Sequence, residues 1–268
     1  MSPEPPLPEL GASPDLGPPP ELQPLPEDAP PLESYPFWGY LDLLGFILVA
    51  LLGSLVVSLL AASIPTAHIK RAFILFPAQV LLYAFLLGAL AFIFRRYYGK
   101  PFWQSLRWTT ARFSSPWVAT CGVSVAFGVM AASVLLHTPD IDSPMKALLS
   151  DPASVVMIAV IGTTLAPICE EIVFRGFLQP LLVRSLGAAP GILLAAAAFG
   201  LMHLQEYGYS WRHALLISGA GAAFGWMRYS TGSTKAAALM HAAYNGVFFL
   251  LLALQQAALH GRWAAHAR

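Results

Sequence analysis

Charge is scarce in this chain. Only 11% of its 268 residues are Asp, Glu, Lys or Arg, while 57% are hydrophobic; a soluble domain carries about a quarter charged. With a mean hydropathy of +0.63, an ordinary aqueous globule is excluded. The net charge of +1 offers no footprint for phosphate, which excludes a nucleic-acid binder. Cysteine is nearly missing too. Cys121 and Cys169 both fall in apolar runs, so no disulfide framework staples the fold. What remains is a polytopic membrane protein.

Basic residues are absent from residues 1–36, which hold thirteen prolines and seven acids. That segment is too Pro-rich for helix or sheet and too acidic to collapse, so a disordered, extended tail is expected. It has no basic stretch leading into an apolar core, unlike a secretory signal. The remaining 232 residues carry all fifteen basic groups. They divide into N-terminal spans with a basic loop (37–114), a core (115–260) and a short end (261–268).

Apolar runs fill the chain after Phe37, at about 40–63, 73–94, 116–137, 154–174, 189–204, 211–229 and 236–259. A bilayer-crossing helix needs roughly 20 apolar residues. The expectation is an all-α, polytopic helical bundle of about seven transmembrane helices, or eight if the region Trp103–Trp108 dips into the membrane. The loop carrying Arg95, Arg96, Lys100, Arg107 and Arg112 has no acid and suits the cytoplasmic side. The loop 138–153, with Asp140, Asp142 and Asp151 against Lys146, suits the other side, although Lys70 and Arg71 lie there too. The expected location is the cell membrane, as a multi-pass protein surrounded by lipid.

Between Ala153 and Leu259 acids are reduced to three: Glu170, Glu171 and Glu206. An acid or Arg at mid-bilayer costs roughly 2.5–3.5 kcal/mol on insertion scales, so Glu170, Glu171 and Arg175 need partners or a function. On a helix, Glu171 and Arg175 stand at i,i+4 and face each other. Glu170 points about 100° away and cannot share that partner equally. Glu171 therefore reads as a tethered anion, and Glu170 as the free carboxylate available as a general base. Two histidines join them. His203 ends the small-residue run from Ala195 through Phe199, which lets a neighbouring helix approach closely. His241 and Asn245 share one face of the last span. The other histidines (His68, His137, His213, His260 and His266) fall at span ends or in loops and read as interfacial.

Several intramembrane chemistries lack their residues. There is no His-Glu-x-x-His for a zincin-type metalloprotease, no Asp pair inside the spans, and no Gly-rich phosphate loop. Ser218 lacks the glycine two residues before it that a rhomboid-type serine would have; Ser218, Gly221, Ala222 and Gly225 read as helix-packing positions.

Glu170-Glu171-x-x-x-Arg175, then Phe199-x-x-x-His203, then His241-x-x-x-Asn245, in this order and each on an apolar span, resembles the CPBP family of CAAX prenyl endopeptidases and bacteriocin-processing proteins, also called Abi. The resemblance covers roughly residues 115–260. It implies an intramembrane endopeptidase acting on a membrane-associated or prenylated peptide. By that resemblance Glu170 and His203 would activate water, His241 and Asn245 would stabilise the oxyanion, and Glu171 and Arg175 would brace the site. The cofactor is open: none, with a glutamate mechanism, or a divalent metal such as zinc on Glu170, His203 and His241. Two other classes use the same residues. One is a non-catalytic scaffold or bacteriocin-immunity-type protein, with the cluster as interhelical glue. The other is a small transporter, for which inverted repeats and broken helix pairs are not evident in the sequence. Physiological substrate and oligomeric state are not encoded in these motifs.

Overall fold

Helix ends in this chain are set by local chemistry. Asp42 accepts from the Gly39 N–H at 2.8 Å and opens α1 (Tyr40–Ala62). The same carboxylate accepts from the Tyr98 hydroxyl at 2.6 Å, which ties the start of α1 to the end of α2 (Ala72–Tyr98). A short α3 (Phe102–Ser105) leads to α4 (Ser115–Leu135), which has Pro116 in its first turn. After α5 (Pro144–Leu148), Asp151 caps α6 (Pro152–Thr163) by accepting from the Ser154 N–H at 3.0 Å. Then follow α7 (Leu165–Glu171), a π-helical segment (Ile172–Leu178), α8 (Gln179–Leu186), α9 (Ala188–Met202), α10 (Trp211–Thr231) and α11 (Thr234–His266). This is a computed structural model. It describes residues 35–65, 72–111, 113–149 and 151–266, and from Tyr35 onward they form one unit. The expected tail, His68 and the Lys70–Arg71 pair lie outside the described residues.

All seven apolar runs are helical. Four helices are long and apolar enough to cross a membrane: α1, α2, α4 and α11 up to Gln256. A fifth span results if α6 and the α7–α8 rod count together. Seven or eight crossings were expected; length and apolarity among the described residues support four or five. The reason is specific. The α9 helix has only 15 residues, and α10 carries Arg212 and Arg228. Arg228 is buried, donating to Thr234 Oγ1 at 3.0 Å and to the Tyr35 hydroxyl at 2.9 Å. The Trp103–Trp108 region holds only the four-residue α3, which is too short to cross.

The lipid-facing helices are inside-out relative to a soluble fold. In α1 only Phe46 and Gly53 are buried, while Leu41, Leu44, Leu48 and Leu51 are exposed. Apolar surface on that scale fits a lipid environment. The interior helices α9 and α10 meet where Gly200 lies against Ala214 and Ser218; a Cβ there would stand 2.4 Å from the Ala214 carbonyl oxygen. The α8–α9 turn uses Gly187 at φ +88, a conformation that suits glycine.

Two irregularities shape the centre. The α6–α7 rod bends by 41° at Thr164. Pro167 has no N–H for the Thr163 carbonyl and its ring clashes with it. Thr163 and Thr164 donate their hydroxyls back to Ala159 and Val160 at 2.6 and 2.5 Å, which bends helices further. The π-helical segment then begins immediately after Glu171. It frees the Phe177 carbonyl, which accepts from the Trp38 indole N–H at 3.1 Å. Around it Trp38, Phe46, Leu90, Phe94, Leu106, Ile172 and Phe177 form the main apolar cluster.

Candidate active site

Glu171 is completely buried, and so is Arg175. The pair predicted from the i,i+4 spacing forms, with Arg175 donating to Glu171 Oε1 at 2.9 Å. The guanidinium also donates to the Gly221 carbonyl on α10 at 2.8 Å and lies 4.5 Å from the centre of the Phe199 ring. A Cβ on Gly221 would stand 3.0 Å from that guanidinium nitrogen, so the glycine leaves room for the contact. One turn on, Gln179 donates to the Gly225 carbonyl at 2.9 Å.

Glu171 does more than pair with Arg175. Its Oε1 also meets His241 Nδ1 at 3.0 Å. A carboxylate accepts, so this contact puts the proton on Nδ1 and leaves Nε2 as the free ring nitrogen. The imidazole is held between Phe224, stacked at 4.6 Å, and Phe199, edge-on at 5.6 Å. His241 is 4% exposed.

His203 caps the end of α9, where four carbonyls lack helical partners. Its Nδ1 lies 2.8 Å from the Phe199 carbonyl oxygen. As a donor there, Nδ1 carries the proton and Nε2 keeps its lone pair. The Phe199 ring lies 4.7 Å from the His203 ring. Phe199 thus touches both imidazoles and the guanidinium.

Glu170 turns the other way, as its 100° offset requires. The Tyr83 hydroxyl of α2 donates to Glu170 Oε1 at 2.7 Å, with Gln79 beside the same phenol. Asn245 reaches the bend in the α6–α7 rod, its side-chain amide donating to the Gly162 carbonyl at 2.7 Å. Glu206, in the loop after α9, lies within electrostatic reach of both His203 and Glu170. Desolvation holds its carboxyl above the ordinary carboxylate range; the His203 charge opposes that and the Glu170 charge adds to it. At about 1.5 Å per residue, His241 lies about 10 Å inside the Thr234 helix end and Arg175 about 16 Å inside the Leu186 end.

Glu171, Arg175, His203 and His241 therefore share one contact network through Phe199. Glu170 and Asn245 flank it through partners of their own. The proposed metal ligands do not fit this arrangement. Among the described residues no group of three His, Cys, Asp or Glu side chains is placed to hold a metal ion. Glu170, engaged by Tyr83, does not join His203 and His241 as a ligand set. Tyr83, Gln79 and Glu206 were not expected at the site. The signal for the first two was available: a Gln and a Tyr at i,i+4 inside an otherwise apolar span.

These features define a multi-pass helical membrane protein with a polar cluster buried among its helices. Residues 151–247 match the family model described as type II CAAX prenyl endopeptidase Rce1-like. The matched segment contains Glu170, Glu171, Arg175, His203, His241 and Asn245. No curated protein and no solved structure matched the chain. The family implies a protease.

Proposed function

We propose that this chain is an intramembrane endopeptidase that hydrolyses a peptide bond of a prenylated or otherwise membrane-associated peptide. One observation carries the reading: Glu171 grips Arg175 and His241 together, which orients an imidazole inside the bundle with Nε2 unengaged. Such a carboxylate–imidazole pair sets the tautomer and balances the charge of an imidazolium. When negative charge develops on the scissile carbonyl oxygen, His241 donates to it from Nε2 once a second proton, taken from solvent, has been added there, and Glu171 balances the resulting cation. Asn245 supplies its second amide hydrogen; the first holds the bend at Gly162.

Water activation falls to Glu170 and His203. Glu170, the carboxylate outside the Glu171–Arg175 pair, takes the proton of the attacking water, and His203, oriented by the Phe199 carbonyl, accepts a hydrogen bond from that water at Nε2; Glu170 then passes the proton to the leaving amine nitrogen as the C–N bond breaks. A base within hydrogen-bond reach of water contributes typically 10²–10⁴-fold. Arg175 anchors Glu171 to α10 and touches no substrate. The membrane concerned is the cell membrane, with the basic ends of α2 and α10 facing the cytoplasm.

The test uses purified full-length protein in detergent and a quenched, farnesylated CAAX-type peptide. Glu170→Ala, His203→Ala and His241→Ala should each lower cleavage by at least 100-fold in protein that still folds, as a cooperative melt shows. A wild-type protein that cleaves neither this peptide nor its unprenylated form, with substitutions that change only stability, would favour the scaffold reading instead.

A further inference from the structure

Glu170 needs a fixed carboxylate to act as a base, yet no charged partner on its own rod holds it. Its partner comes from α2, outside the family-matched residues 151–247. The Tyr83 hydroxyl donates to Oε1 at 2.7 Å, a well-formed O–H···O hydrogen bond. Gln79 stands one turn earlier on α2, beside the phenol. Glu side chains have three rotatable bonds, and among the described residues the Tyr83 hydroxyl is the hydrogen-bond partner that restrains this one.

We propose that Tyr83 is a positioning residue that fixes the Glu170 carboxylate through Oε1, so that Oε2 takes the proton from the attacking water. The inference rests on the protease reading, in which Glu170 is the base. Tyr83 keeps its own proton throughout. It neither touches the peptide nor exchanges with water in the step. The N-terminal spans thereby contribute directly to a site whose other members all lie between Glu170 and Asn245.

Tyr83→Phe keeps the ring and removes only the donor. With the farnesylated CAAX-type peptide in detergent, kcat should fall 10- to 100-fold, KM should stay within twofold, and the melting temperature should stay within a few degrees. Gln79→Leu should move kcat in the same direction by less. An unchanged kcat overturns the proposal. So does a kcat loss accompanied by a raised KM and a lowered melting temperature, which marks a packing role. The contact is read separately, without turnover, from the melting temperatures of Tyr83→Phe, Glu170→Ala and the double variant. Coupling requires that Tyr83→Phe have no further effect once Glu170 is gone; additive losses overturn it. If the wild type cleaves no peptide, the protease reading fails and takes the catalytic part of this proposal with it, while the melting cycle still decides whether Tyr83 holds Glu170.

Discussion

Glu171→Gln removes one charge from a site with no exposure to solvent. Arg175 is also fully buried. Its remaining partners would be the Gly221 carbonyl at 2.8 Å and the face of Phe199 at 4.5 Å, neither of which carries a formal charge. Breaking a buried pair by removing one partner costs about 3–5 kcal/mol. For a domain of this size that corresponds to a fall in melting temperature on the order of 10 °C. The imidazole suffers as well, because Gln offers His241 a weaker acceptor than a carboxylate. Replacing both members, as Glu171→Gln with Arg175→Met, removes the stranded cation and should recover part of the loss. The assay is thermal unfolding of the detergent-solubilised protein for the four members of the cycle. A Glu171→Gln variant that melts within 2 °C of wild type would refute the claim that this pair holds the bundle. A double variant less stable than either single one would refute the account of why.

Gly200→Ala places a methyl group 2.4 Å from the Ala214 carbonyl oxygen and 2.1 Å from Ser218 Oγ; forcing α9 from α10 should cost about 1–3 kcal/mol, read as a lowered melting temperature that Ser218→Ala does not restore. Gly122→Ala should do the same between α4 and α11, since its Cβ would meet the Met240 carbonyl oxygen at 2.2 Å. Asn245→Ala leaves the Gly162 carbonyl unpaired at the bend and should lower stability by about 1–3 kcal/mol in addition to lowering cleavage; a variant of unchanged stability would count against the contact. The Glu206 carboxyl is raised above its ordinary 4.5, so the folded protein holds that proton to higher pH than the unfolded chain. Its stabilising contribution is present below 4.5 and is lost as pH rises through the raised value. Glu206→Gln should flatten this part of the stability profile in melts from pH 4 to pH 8, and identical profiles for the two proteins would disprove it.

How far the sequence reveals this arrangement depends on the range of each contact. Glu171 and Arg175 are four residues apart, so helical geometry alone brings them together, and the offset of Glu170 follows from the same rotation. The seven helical segments are legible for a similar reason: apolar runs of that length have few other ways to satisfy their backbone in lipid. The number of crossings is less legible: 189–204 and 211–229 read as spans in the sequence, whereas α9 has only 15 residues and α10 carries Arg212 and the buried Arg228. The partners of the site residues are harder still. Gly221 is 46 residues from Arg175, and Tyr83 is 87 from Glu170. No periodicity reports such pairings. Pro167 marks the bend at Thr164 in the sequence, but the wide turn from Ile172 to Leu178 carries no comparable flag.

Arg175 and Gln179 make two rungs to α10, reaching Gly221 and Gly225 in the same order along both helices. Because donors and acceptors repeat at the same four-residue interval, a slip of one or two residues breaks both rungs at once. Only a whole-turn step of about 5.4 Å offers the donors an equivalent carbonyl one turn away. The two rods are thus geared together like rack and pinion, with no intermediate stop.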